Sequence, residues 1–300
     1  MSQISRRGFL KSIGTLGAVG VAGAVTAPFL TPDAGLVFDD NNSYWNQEVI
    51  PACEPLSEDL SCDVAIIGAG FTGLYAALHL KRHEPHLNIV LLEANQPGYG
   101  ASGRNGGMLL PQFGAESFDI PEDLSTHQAI YNMTVASMKE LGEWVKRHQV
   151  DCDWQMKGYL HTYFDSEDTE YYQDYLKNAQ SVGMPIQWLD TQKTEDLLGT
   201  DVFEGAMFDP NGGSVHPIKL IKALVADLKN SGVRIFGDSQ VTQVDEGSTI
   251  RLRVSNIRTK QQHTHVVQAA KIVVASSAYT THLGLFKNRI FPVHAQTAVT

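Results

Sequence analysis

"DVAIIGAGFTGLYAALHL", Asp63 to Leu80, runs from an apolar segment into a set of glycines and then into a helix-compatible stretch. Val64 to Ile67 is uninterrupted and rich in β-branched residues, as expected of a parallel strand buried on both faces. Gly68, Gly70 and Gly73 follow as G-x-G-x-x-G. A helix is predicted from Thr72 to Arg82 and a second strand from Ile89 to Leu92, ending at Glu93. In such a βαβ unit the first glycine permits a tight turn and the second lets the backbone approach a pyrophosphate. The third lets helix and strand pack closely, while the helix N-terminus faces the phosphates. Glu93 stands where a carboxylate accepts both ribose hydroxyls of a dinucleotide and repels a 2′-phosphate. Up to this point NAD and FAD both remain open.

The residues beyond Glu93 separate them. A second small-residue cluster, "GYGASGRNGGM" from Gly98 to Met108, occupies the place where an NAD dehydrogenase continues into its next helix. Farther along, helical spacing predicts helices from about Ser125 to His148 and from Glu167 to Val182. Another opens with Pro217 and closes before Gly232. Asp153 to Phe164 alternates like a strand. Further strands are expected at Val233–Phe236, near Val241–Val244, at Ile250–Val254, at Thr264–Val267 and at Ile272–Ala275. The chain therefore starts an α/β sheet, leaves it after Gly107 and returns near Pro217.

The Gly98–Met108 cluster resembles the D-amino-acid oxidase family of FAD-dependent oxidoreductases, which includes glycine and sarcosine oxidases. "GASGRNGG" is similar to its branch containing gamma-glutamylputrescine oxidase. "SYWNQ" from Ser43, "DPNGGSVHPIKLIKAL" from Asp209 and "KIVVASSAYTTHL" from Lys271 carry the same resemblance, which covers about Ser43 to Thr300. It implies a Rossmann-like FAD-binding α/β domain interleaved with an α+β substrate domain. The expected division is 61–115 and 209–285 for the FAD domain, with 116–208 and 286–300 for the substrate domain. Family members continue well past this point, so the substrate domain is expected to be incomplete and the chain to be a fragment or a truncated product.

By position, the resemblance implies that Gly68, Gly70, Gly73 and Glu93 hold the ADP half of FAD. Ser102, Arg104, Asn105, Gly106 and Gly107 would line the pyrophosphate and the flavin. Val241 would meet the adenine through its backbone, and Ala275 and Ser276 would turn close to the cofactor. Arg104 is the candidate catalytic group, supplying positive charge beside the flavin and substrate. The implied reaction is oxidation of the C–N bond of an amine or amino acid by hydride transfer to flavin N5. An amine that arrives deprotonated needs no side-chain base. Two other readings stay open: a non-catalytic flavin-binding remnant and an NAD-dependent dehydrogenase. His161, Tyr163, His216, Tyr279 and His294 are candidates for a substrate pocket, each competing with a structural role; for His216, next to Pro217, that role is helix capping.

Composition narrows the partners. With 43% hydrophobic and 19% charged residues and a net charge of -10, the chain reads as a soluble α/β protein that repels nucleic acid and anionic membranes. "SRRGFLK", Ser5 to Lys11, precedes a Gly/Ala-rich apolar run that ends near "AVTA". This is the layout of a twin-arginine export signal over residues 1–27, making the Tat translocase a partner and the periplasm the destination. Its removal would take Arg6, Arg7 and Lys11 and no acid, leaving the mature chain more negative still. Residues 28–60, with Pro28, Pro32, Pro51 and Pro55, read as an arm or linker. Cys53, Cys62 and Cys152 match no metal spacing; Cys53 and Cys62 either pair or stay free. No metal is expected.

Overall fold

The computed structural model describes residues 43–111, 124–164, 166–258 and 264–290, all within the unit Asn41–Thr300. The export-signal reading therefore falls outside the described residues. The first strand, β1 (Leu60–Ile67), is followed by α1 (Phe71–His83) and β2 (Ile89–Leu92). Later segments of the same sheet are β8 (Arg234–Phe236), β9 (Ser239–Asp245), β10 (Ile250–Asn256) and β11 (Thr264–Val274). They lie in the order β8-β2-β1-β11-β10-β9. The first four run parallel, and β10 is antiparallel to both of its neighbours.

The parallel half explains the uninterrupted apolar runs. Val64, Ile66, Ile89 and Leu91 face the cluster that contains Leu74, Ala77 and Leu78 of α1. Ala65, Ile67, Val90 and Leu92 face the opposite side, packing with Val241, Leu252, Val254 and Val267. The first face is also covered by α5 (Pro217–Asn230), which buries Leu220, Ile221, Leu224, Val225 and Leu228. At roughly 1.5–3 kcal/mol for each large apolar side chain taken out of water, these residues hold the helices to the sheet. Pro217 sits in the first turn of α5, and His216 caps it by accepting the Lys219 N–H at Nδ1.

Between the two halves of this sheet the chain builds another. It comprises β4 (Tyr159–Tyr163), β5 (Gln187–Asp190) and β6 (Gly205–Asp209), antiparallel in the order β4-β6-β5. Its helices are α2 (Leu124–Arg147), α3 (Ser166–Ser181) and α4 (Thr191–Leu198). A two-stranded ladder, β3 (Met108–Leu109) with β7 (Gly213–Ser214), connects this region to the glycine cluster.

The structure corrects the sequence reading in three places. The alternation of Asp153–Phe164 becomes strand only at Tyr159–Tyr163, with Gln155 making an isolated bridge to Ser214. β5, α4 and β6 were not anticipated, since Gln187–Asp190 and Gly205–Asp209 lack a β-branched run and draw their stability from pairing with each other. The two strands expected at Thr264–Val267 and Ile272–Ala275 are one strand, β11. Ala269, which weakened the pattern, is buried and lies opposite Cys62 in β1. All three cysteines are free, with Cys53 and Cys152 buried.

Candidate functional site

The glycine turn lies at the carboxyl ends of β1 and β2, where open parallel sheets receive ligands. Gly68 has φ +107°, and a Cβ there would stand 2.6 Å from the Ala275 oxygen. A Cβ on Gly73 would stand 1.9 Å from the Gly68 oxygen, so this position admits no side chain while α1 rests on the turn. Gly70 is the N-cap of α1 and offers no side chain to its open amides. Ser102 substitutes for one: its Oγ accepts the Phe71 N–H at 3.0 Å, and a Cβ on Gly70 would come within 2.8 Å of that oxygen. The two small-residue clusters thus meet at one helix end, with the Gly98 N–H donating to the Ala69 oxygen at 3.0 Å.

Glu93 is drawn into the same turn. Its Oε2 accepts the Ala69 N–H at 2.7 Å and its Oε1 the Asn95 N–H at 3.0 Å. Burial raises its pKa, the amides of Ala69, Asn95 and Ala94 oppose the rise, and nearby Asp238 adds to it. Each carboxylate oxygen keeps a further lone pair, which suits a pair of vicinal hydroxyls. Behind Glu93 stands a network that the sequence reading missed. Asp238, buried and at φ +48°, donates its N–H to the Asn95 oxygen at 2.6 Å. Its Oδ2 accepts from Gln96 Nε2 at 2.8 Å and from Arg258 Nε at 2.8 Å. The Ser239 N–H donates to the Glu93 oxygen at 2.8 Å. No spacing rule marks Gln96 or Asp238; the only sequence signal was the turn composition of "FGDS" between two strands.

The residues of the second cluster are tied to one another. Arg104 Nε donates to the Tyr99 oxygen at 2.9 Å, and the guanidinium lies 4.6 Å from the centre of the Tyr99 ring. Asn105 donates from Nδ2 to the Ser102 oxygen at 2.8 Å and accepts the Gly107 N–H at Oδ1 at 2.8 Å. Gly107, at φ +71°, accepts the Val215 N–H. Gly106 is exposed. Two residues of "SYWNQ" reach the same loop: Ser43 Oγ donates to the Gly103 oxygen at 2.7 Å and Trp45 Nε1 to the Asn105 oxygen at 2.7 Å.

Val241 is buried in β9, an edge strand of the sheet, two residues beyond the Ser239 contact with Glu93. Ala275 donates its N–H to the Ile67 oxygen at 2.8 Å, and Ser276 Oγ lies 3.0 Å from Thr280 Oγ1.

Of the substrate candidates, Tyr163 stacks between Tyr172 and Trp188 in a closed aromatic cluster, and His161 Nε2 lies 3.0 Å from the Tyr172 hydroxyl. His216 is the helix cap described above. Tyr279 is exposed, and His294 lies outside the described residues. A groove between α2 and α5, lined by Trp144, His148, Lys219, Lys222 and Asp227 among others, includes none of the glycine-turn residues. Among the described residues, no helix is long and apolar enough to cross a membrane. Nor do any three His, Cys, Asp or Glu side chains among them gather as a metal site.

Comparison with known proteins identifies the family and the fold. The model of the family DAO, FAD dependent oxidoreductase, matches residues 63–300. Gamma-glutamylputrescine oxidoreductase of Escherichia coli is 30% identical over 230 residues, covering 75% of this chain and 51% of that protein. Probable oxidoreductase OrdL of Haemophilus influenzae is 29% identical over 256 residues, covering 80% of this chain and 56% of its own length. The chain thus spans about half the length of the curated relatives it matches. Among solved structures, glycine oxidase from Geobacillus kaustophilus superposes with a TM-score of 0.61 at 24% identity, covering 75% of this chain and 57% of that one. L-amino acid deaminase from Proteus myxofaciens gives 0.63 at 17%, covering 83% and 53%. These structures share the fold: a mixed parallel and antiparallel sheet with helices, as expected of a Rossmann-like FAD-binding domain.

Proposed function

The chain belongs to the DAO family of FAD-dependent oxidoreductases, and from that premise we propose that it holds FAD at the glycine turn and oxidises the C–N bond of an amine or amino acid. The observation that carries the cofactor half of this reading is the convergence of Glu93, the open N-terminus of α1 and Ser102 on one turn. A dinucleotide needs a carboxylate for its ribose and aligned amides for its pyrophosphate, and these residues supply both.

In this reading the residues divide the work. Glu93 accepts the ribose hydroxyls, and the first-turn amides of α1 with the Ser102 hydroxyl receive the pyrophosphate. Val241 meets the adenine through its edge-strand backbone. Ala275 and Ser276 close the turn over Gly68. Asn105, Gly106 and Gly107 flank the flavin, and the Arg104 charge favours its reduced, more negative state. Bound there, FAD would supply the two-electron acceptor for oxidation of the carbon beside nitrogen to an imine, which water would then hydrolyse. Residues 61–115 and 209–285 form the cofactor domain, and 116–208 begin the substrate domain. The net charge of -10 weakly favours cationic amines over dicarboxylates at encounter, an effect screened beyond about 8 Å at physiological salt.

The reading is tested by adding polyamines, their γ-glutamyl conjugates and N-methyl amino acids anaerobically to purified yellow protein. Loss of flavin absorbance with at least one amine is expected; reduction by a 2-hydroxy acid alone would sink the amine assignment. We also propose twin-arginine export on the strength of Arg6 and Arg7. Replacing both by Lys should hold the precursor in the cytoplasm, and an unchanged periplasmic yield would reject the route.

A further inference from the structure

The segment just ahead of the fold makes contacts that a linker has no need of. Tyr44–Gln47 forms a single 3-10 turn capped by Ser43. From this turn, Ser43 Oγ donates to the Gly103 oxygen and Trp45 Nε1 to the Asn105 oxygen, both at 2.7 Å and both across sixty residues of sequence. The turn is itself seated on the start of α5. The Trp45 ring meets His216 edge-on with centroids 4.6 Å apart, and Glu48 pairs with Lys222 at 3.7 Å.

Both acceptors are backbone carbonyls, so each bond fixes a peptide plane rather than a side chain. In a trans peptide the N–H of the next residue points opposite to the carbonyl, and there is no cis peptide among the described residues. Ser43 therefore also orients the Arg104 N–H, which donates to the Ala101 oxygen at 3.2 Å and closes the turn. Trp45 orients the Gly106 N–H, directing it away from the arm. That amide makes no hydrogen bond among the described residues, whereas its neighbour Gly107 donates to Asn105 Oδ1. Gly106 is exposed, so this donor faces solvent in a fixed direction and is open to a ligand.

We infer that Ser43 and Trp45 are positioning residues for the cofactor: a clasp that locks the Gly103–Gly107 peptide planes and presents the Gly106 N–H to FAD. This rests on the FAD reading above. Losing either bond should let the loop sample other peptide orientations, and FAD would then have to order it on binding.

The test uses the whole chain, titrated with FAD and followed by flavin fluorescence and by visible circular dichroism of the bound flavin. Trp45→Phe keeps an aromatic ring beside His216 but removes the indole donor, and Ser43→Ala removes the hydroxyl. Each should weaken FAD binding about tenfold, the worth of one net hydrogen bond, and change the flavin dichroism while leaving the unfolding temperature of the apoprotein in place. Gln47→Ala, exposed on the same turn, is the control expected to match wild type in all three. Wild-type affinity and dichroism in both Trp45→Phe and Ser43→Ala would overturn the clasp. So would a tenfold loss accompanied by an equal fall in apoprotein stability in both variants, which marks a general structural role. Failure of the wild-type chain to take up FAD would reject the cofactor reading and the clasp with it.

Discussion

The glycine turn and the aromatic sheet region of the same chain solve opposite problems. Around Gly68–Gly73 the backbone itself does the packing: atoms of β1, α1 and the turn after β11 approach so closely that no side chain fits between them. Around β4, β5 and β6 the space is filled by side chains, with Tyr131, Tyr163, Tyr172, Tyr175, Met207 and others forming one cluster. The first region leaves its polar groups converging on an opening. The second encloses them, and two buried polar atoms there, the Tyr163 hydroxyl and Asp209 Oδ2, have no hydrogen-bond partner among the described residues. Backbone sterics tolerate almost no substitution, whereas a side-chain core with surplus polar atoms tolerates several.

The sharpest way to break this contrast is Gly73→Val. Its Cβ would stand 1.9 Å from the Gly68 oxygen, so α1 must move off the turn at a cost of at least about 3 kcal/mol. Urea unfolding should show that loss and the purified protein should be colourless; normal flavin content would refute the steric account. Next in size is Glu93→Ala, which strips the acceptor from the Ala69 and Asn95 amides and from the proposed ribose contact. It should weaken FAD binding by on the order of 1.5–3 kcal/mol, as expected for hydrogen bonds to a charged group. Calorimetric titration would detect it, and wild-type affinity would move the ribose site elsewhere.

A smaller effect is expected from Asp209→Asn. Tyr131 and the Asn211 N–H bond Oδ1 of Asp209, yet burial still raises its pKa. The native state therefore holds this proton more tightly than the unfolded chain does. Stability tied to Asp209 is present below the ordinary carboxylate range, about pH 4, and is lost as pH rises through the raised native value. Glu93 shifts in the same direction. Unfolding free energies of the apoprotein measured from pH 4 upward should fall less steeply in Asp209→Asn than in wild type; parallel curves would show that Asp209 titrates normally. Smallest of all, Tyr163→Phe removes a hydroxyl that has no partner among the described residues, so stability should change by less than about 1 kcal/mol or rise slightly. A larger loss by thermal melting would reveal a partner.

How much could be read in advance follows the same division. β1, α1, β2 and Glu93 were legible because a G-x-G-x-x-G turn between strand and helix has one steric solution. The capping role of His216 was legible from the proline beside it, and α2, α3 and α5 from helical spacing. Ser102 and Asn105 were marked as cofactor residues, but their bonds to Phe71, Ser102 and Gly107 were not foreseeable, since they depend on how two loops distant in sequence meet. Asp238 and Gln96 gave no signal beyond the turn composition of "FGDS", because a buried carboxylate is recognisable only beside its partners. "SYWNQ" was singled out without a role, and its bonds end on main-chain carbonyls, which sequence does not distinguish. β5 and β6 escaped notice because their pairing, rather than their composition, makes them strands; α4 carried cap signals, Asp190 before it and the left-handed Gly199 after it, that were passed over.

The long strand β11 sets the order in which this molecule can be assembled. It is hydrogen-bonded along one side to β1 and along the other to β10, so it joins the parallel and antiparallel halves of the main sheet. Leu60 pairs with Val267, and Ala275 closes over Gly68, so the contacts that finish the turn span roughly two hundred residues, a separation that makes folding slow through the entropy of closing so large a loop. A chain still emerging from the ribosome presents β1 and its glycines with one flank bare until Val274 appears. The turn is therefore synthesised well before the strand that completes its shape.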